Sequence, residues 1–147
     1  KGFLTGEGMI TNHQTGMVDV RDLAEAHVNA IKIPEAANQR FLLTVENGVP
    51  IEQFAAVLYN KYGPNGNKEF PKAKNPKNKL PKWVLNCLAC CNSQVSYAME
   101  LWDFNIKFDN SSTKNVLKIN FRDTDQAILD CAESLKEYGL VTPATKK

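Results

Sequence analysis

The chain has 147 residues, 43% of them hydrophobic, and a formal charge of +2. That length and apolar content suffice for one domain with its own core, and so small a charge argues against a nucleic-acid or anionic-membrane partner. No apolar run is long enough to span a bilayer and no signal-like or transit-like segment is visible, so the expectation is a cytoplasmic chain with no membrane partner.

Lys1 to Gly16 reads as a Gly- and Thr-containing loop. Val18 and Val20 alternate with Asp19, which predicts a short strand. Leu23, Ala26, His27, Ala30 and Ile31 then recur at helical spacing, which predicts a helix from Asp22 to about Ile33 that stops at Pro34. The switch falls at Arg21-Asp22, where an acidic side chain accepts from the free N–H groups of the first turn and complements the helix dipole. In this frame Asp19 and Asp22 point in different directions, so capping is a better assignment for them than paired catalytic carboxylates. His27, on the inner face, reads as a core histidine rather than a proton-transfer group.

Arg40 to Val45 is predicted to be a strand. Its run Phe41-Leu-Leu-Thr-Val45 is apolar on both faces, as in a strand covered on both sides. Each large apolar side chain left in water forfeits roughly 1.5–3 kcal/mol of burial, so a partner sheet is expected along Phe41 to Val45. Val49-Pro50 opens a helix with Ile51, Phe54, Val57 and Leu58 inward, ending near Tyr62-Gly63-Pro64. Residues 63–82 form a Lys-, Pro- and Asn-rich loop. Its lysines, from Lys68 to Lys82, alternate with Pro71, Pro76 and Pro81, and aromatic partners for stacking are sparse. A solvated loop therefore fits better than a polyanion site. A helix from Pro81 towards Trp102, a strand at 106–108, a helix at 111–117 and a terminal helix from about Asp123 to Tyr138 follow. Gly139 is its expected C-cap, and 140–147 is expected to fray.

Cys87, Cys90, Cys91 and Cys131 would suffice by count for a four-thiolate zinc site. A second Cys-x-x-Cys is missing, and Trp83 to Cys91 reads as one apolar helical segment in which cysteine is a small buried hydrophobe. Buried free thiols and no metal are the expectation, and reduced thiols suit a cytosolic compartment.

Met17-Val-Asp-Val-Arg-Asp-Leu-Ala-Glu-Ala-His27 resembles the strand-to-helix junction in the C-terminal part of extended short-chain dehydrogenases/reductases, within the NAD-dependent epimerase/dehydratase superfamily. The similar members are of the dihydroflavonol, cinnamoyl-CoA and methylglyoxal reductase type. Gln39 to Val45, Phe108 to Leu117 and Phe121 to Leu135 resemble further segments of that family, in the same order. Lys118 stands where the family usually has Gly, which counts against a tight positive-φ turn there.

The resemblance implies an α/β fold: a helix-rich C-terminal subdomain with a few short strands, normally packed on a Rossmann-type parallel sheet that is absent from this chain. Residues 1–147 would be a single substrate-binding, lid-like portion. Neither a Gly-rich dinucleotide turn nor a Tyr-x-x-x-Lys pair occurs. Gly2, Gly6, Gly8 and Gly16 follow no strand, and the neighbours of Tyr59 and Tyr97 have the wrong spacing or type. By this reading NADP or NAD is bound by a part of the enzyme outside the chain, and this stretch alone is not active. The parent would reduce a small ketone or aldehyde to an alcohol, its missing partner being an N-terminal dinucleotide-binding domain. Family position implies that Gln14, Thr15, Gly16 and Met17 lie beside the substrate; Trp83, a helix-borne aromatic, is a further substrate-binding candidate that equally suits a core position. Gln14 or Thr15 would hydrogen-bond a substrate oxygen and Met17 would pack on its apolar body. The alternative is a non-catalytic binding or structural subunit of a larger assembly.

Overall fold

The computed structural model describes residues 1–79 and 81–144. Leu80, within the basic loop, and residues 145–147 of the expected tail lie outside the described residues. The architecture is helix-rich with a small two-stranded sheet. In chain order the elements are α1 (Gly2–Thr5), β1 (Gln14–Thr15), α2 (Val20–Lys32), β2 (Val49–Pro50), α3 (Ile51–Tyr62), α4 (Lys82–Ala89), α5 (Ser93–Glu100), α6 (Ser111–Val116) and α7 (Thr124–Glu137). No Rossmann-type sheet is present among the described residues.

The core falls into two clusters. In the first, α1, α3 and α7 meet through Leu4, Leu58, Tyr62, Ile128 and Ala132, joined by Phe70, Ala73 and Val141. The Lys-rich loop is thus pinned at Phe70 and Ala73, while its lysines stay on the outside. The expected fraying from residue 140 does not hold at Val141, which is buried, nor at Ala144, whose N–H donates to Glu69 O at 2.8 Å. The second cluster joins α2 to the end of α6 through Ala26, Ala36, Leu117 and Ile119, with Phe41 and Leu43 against it.

The start of α2 lies two residues earlier than expected, and no strand forms at Val18 to Val20. Asp19 is the N-cap: its Oδ1 accepts from Arg21 N at 2.8 Å, which makes Val20 the first helical residue. Asp22 instead points inward, 2% exposed, and accepts from Arg122 N at 2.8 Å while pairing with the Arg122 guanidinium. That inward acid rotates the helix. Asp22, Ala26, Asn29 and Ala30 face the molecule, whereas Ile31 is 87% exposed. His27 is exposed too and bonds Leu23 O through Nδ1 at 2.7 Å, so it is not a core histidine. Asn29 Nδ2 donates to Leu117 O at 2.8 Å and fastens the helix to the turn after α6. At that turn Lys118 takes φ 58°, so lysine occupies the left-handed conformation that its side chain argued against.

The Arg21 guanidinium bridges Asp19 and Asp130 of α7, each at 2.6 Å. The hydrogen bond from Arg21 holds the buried Asp19 carboxyl at about 2, below the ordinary carboxylate range. A depressed folded value means that the unfolded chain takes up the proton first. The stability so contributed is present above about pH 4 and is lost as pH falls towards 2. After allowance for the water around Arg21, acidification through that window should cost about 1–2 kcal/mol, and Asp19→Asn should flatten the pH dependence of the urea midpoint.

Two further expectations change. The helix from Pro81 to Trp102 is two helices, because Cys91 N turns back to Leu88 O at 3.1 Å and Asn92 Oδ1 accepts from Val95 N at 3.3 Å, capping α5 anew. All four cysteines are exposed, so none is the buried hydrophobe its neighbours implied. At the other end of the chain, Asp123 caps α7 by accepting from Gln126 N, and Gly139 follows with φ 66°.

Candidate functional site

Three segments, 11–18, 42–50 and 103–110, are tied together by hydrogen bonds and line two recesses that share no lining residue. β1 runs antiparallel to β2 with Gln14 opposite Pro50 and Thr15 opposite Val49. The third segment is tied in by Gly48 N to Ile106 O and Phe108 N to Glu46 O, each 2.8 Å, around an isolated bridge between Asn47 and Lys107. The expected strand at 106–108 is reduced to that bridge.

Gln14 is the cross-brace. Its Oε1 accepts from Ile106 N at 3.0 Å, which leaves the amide Nε2 as the donor it can offer to a ligand. Gly48 makes that possible: a Cβ there would stand 2.7 Å from Gln14 Oε1 and 2.9 Å from Gln14 Cβ. Gly48→Ala should therefore expel the Gln14 side chain and lower stability by about 1–3 kcal/mol in urea unfolding, with loss of the Ile106 amide's protection from hydrogen exchange.

The first recess, of about 280 Å³, is polar and is lined by Asn12, His13, Gln14, Glu52, Asp103 and Phe104, among others. His13 Nδ1 lies 2.7 Å from the buried Thr11 hydroxyl, and partial burial lowers the imidazole's pKa. Asn12 Nδ2 donates to Asp103 Oδ1, and Asp103 N returns to Asn12 O at 3.0 Å. Lys79 reaches from the basic loop to pair with Glu52 at the rim.

The second recess, of about 330 Å³, is mainly apolar and is lined by Gly16, Met17, Val18, Leu42, Leu43 and Phe108, with Thr44 at its edge. Thr44 Oγ1 accepts from Met17 N at 2.9 Å and donates to Met17 O at 3.0 Å. A Cβ on Gly16 would come within 3.1 Å of that oxygen and 3.2 Å of the Phe108 ring, so glycine lets the strands close up here.

Of the residues singled out from sequence, Gln14 lines the polar recess and Gly16 and Met17 the apolar one. Thr15 lies between them in β1, its hydroxyl turned to Gly16 O at 3.4 Å. Trp83, 71% exposed on α4, lines neither. Sequence reasoning missed His13, Thr44, Gly48, Asp103 and Phe108. Only Asn47-Gly48, a turn dipeptide, carried a local signal.

The segment 40–45, expected as a strand, forms no ladder in this chain. Phe41 and Leu43 turn to the second cluster and Leu42 is 45% exposed, which keeps the period-2 alternation of an extended run. Thr113 Oγ1 donates to Leu42 O and Asn110 Nδ2 to Thr44 O, both at 2.8 Å, and Val45 N donates to Met17 O. Among the described residues, the N–H groups of Phe41, Leu42, Leu43 and Thr44 find no acceptor.

The first recess suits a polar group and the second an apolar one. Among the described residues there is no group of His, Cys, Asp and Glu that could carry a metal. The N-termini of α2 and α7 are already taken by the carboxylates of Asp19 and Asp123, which would repel a pyrophosphate.

Searched against models of known protein families, the chain matches none. It is similar to a Saccharomyces cerevisiae protein named as an uncharacterized oxidoreductase, with 28% identity over 132 residues, or 86% of this chain. The aligned stretch spans 30% of the yeast protein's length. No described helix is long and apolar enough to cross a membrane.

Proposed function

We propose that this chain is the substrate-binding portion of a cytoplasmic NAD(P)-dependent oxidoreductase of the extended short-chain type, one that reduces a ketone or aldehyde to an alcohol. The observation that carries the reading is the row of unpaired amides from Phe41 to Thr44, beside exposed Leu42. An apolar extended run with free N–H groups is an edge prepared for another strand. In the resembling enzymes that place is taken by the dinucleotide-binding sheet. The yeast oxidoreductase, of which the aligned stretch spans 30%, is in keeping with a partner region of that kind.

In this reading the chain's residues bind and orient. Gln14 Nε2, with Thr15 in support, donates to the carbonyl oxygen of the substrate. Gly16 leaves room for it and Met17 packs on its apolar body. NADP or NAD and the proton donor belong to the other half, since this sequence carries neither a Gly-rich dinucleotide turn nor a Tyr-x-x-x-Lys pair.

The test is the natural protein, captured from its source with an antibody to α7. Its intact mass should exceed the 16.4 kDa of this chain by a nucleotide-binding domain of roughly 150–200 residues. NADPH should quench its tryptophan fluorescence, and the amides of 41–44 should exchange far more slowly than in the isolated chain. A captured protein of 16.4 kDa that ignores NADPH would sink the reductase reading and leave a binding subunit in its place.

A further inference from the structure

The exposed thiols at the end of α4 are unused by the recesses described above. Cys87 and Cys90 are three apart, and Cys90 keeps helical geometry with φ −62° and ψ −27°. Residues at that spacing share a helix face with Cβ atoms about 5–6 Å apart, against about 3.5–4.5 Å in a disulfide. Closing the pair therefore needs a movement of about 1.5 Å. The pair sits where the helix stops: α4 ends at Ala89, and Cys91 N donates to Leu88 O in the turn that follows. Cys90 Sγ makes only a 3.7 Å contact with Asn86 O, one turn back. Both thiols are exposed to a reagent. Cys90 and Cys91 are adjacent, and bridging them would distort the peptide between them.

We infer that Cys87 and Cys90 form a thiol–disulfide exchange site for small disulfides of the glutathione class. One thiolate of the pair attacks the S–S bond of the small disulfide, and a mixed disulfide forms as one small thiol leaves. The second thiolate then attacks the protein sulfur of that mixed disulfide and expels the other small thiol. The protein pair gives up two electrons and two protons, and the small disulfide is reduced to two thiols. The product staples the last turn of α4 at its junction with α5.

The experiment treats the full 147-residue chain with oxidised glutathione and then alkylates what remains. The expected result is loss of two of the four free thiols, a mass lower by two hydrogens, and alkylation still at Cys91 and Cys131. Fragmentation of the peptide between Lys82 and Lys107 should show no backbone breaks between Cys87 and Cys90. Cys90→Ser should retain one glutathione on Cys87, whereas Cys91→Ser and Cys131→Ser should close the ring as the parent does. Four thiols left unreacted would overturn the inference. So would glutathione retained on the parent without ring closure, a link to Cys131 or to a second chain, or closure that survives Cys90→Ser but not Cys91→Ser.

Discussion

Asp22→Ala is expected to destabilise the chain by about 3–5 kcal/mol, because it removes one member of a charge pair whose acid is buried. The Asp22 carboxylate, 2% exposed, serves the Arg122 backbone amide at 2.8 Å and the Arg122 guanidinium together. It therefore joins the first turn of α2 to the residue before the cap of α7. Without it, the Arg122 amide loses its acceptor and a void opens under α2. Asp22→Asn keeps an acceptor of the same shape and should recover about half of the loss, given a net hydrogen bond of about 1 kcal/mol and the charged one replaced. Urea unfolding followed by circular dichroism measures both. An Asp22→Ala midpoint equal to that of the parent would show that the contact does not hold the helices together.

Tyr62→Ala should cost about 3–5 kcal/mol, as for other large aromatic side chains removed from a core. Tyr62 has no exposed surface and meets Phe70 edge to face, with ring centroids 6.3 Å apart. Its hydroxyl donates to Glu133 Oε1 at 2.6 Å, and Lys136 Nζ stands 5.0 Å from the ring while pairing with Glu69 and Glu133. Burial, reinforced by Glu133, raises the phenol's pKa, and the Tyr62 hydrogen bond lowers that of the Glu133 carboxyl. Tyr62→Phe isolates the polar part of this arrangement. A hydrogen bond to a charged acceptor is worth about 1.5–3 kcal/mol, and the water around Glu133 sets the lower end as the expected loss. Thermal unfolding should rank the chains parent, Tyr62→Phe, Tyr62→Ala.

The long helices were legible because their boundaries are written in local chemistry. Pro50, Tyr62-Gly63 and Asp123 mark the ends of α3 and the start of α7 within a residue or so. Misreadings came where a distant partner overruled a local pattern. Asp22 reads locally as a cap because nothing in its neighbourhood announces Arg122, a hundred positions on, and the inner stripe of α2 shifts with it. The alternation at Val18 and Val20 reads as a strand, but Asp19 accepts from Arg21 N and starts the helix there instead. The cysteines read as core because α4 is apolar, yet so short a helix resting on α5 has only one side to bury. As for the recesses, Gln14, Gly16 and Met17 were found through resemblance, whereas Gly48 and Phe108 join them only by pairing across the chain.

Gln14 holds two offices at once: its carbonyl end steadies the strand pairing and its amide end is turned over to whatever occupies the polar recess. A lineage adapting to a new ligand therefore has little liberty at that position. Variation should drift to His13 and Asn105, which border the same space and are not asked to brace the third segment.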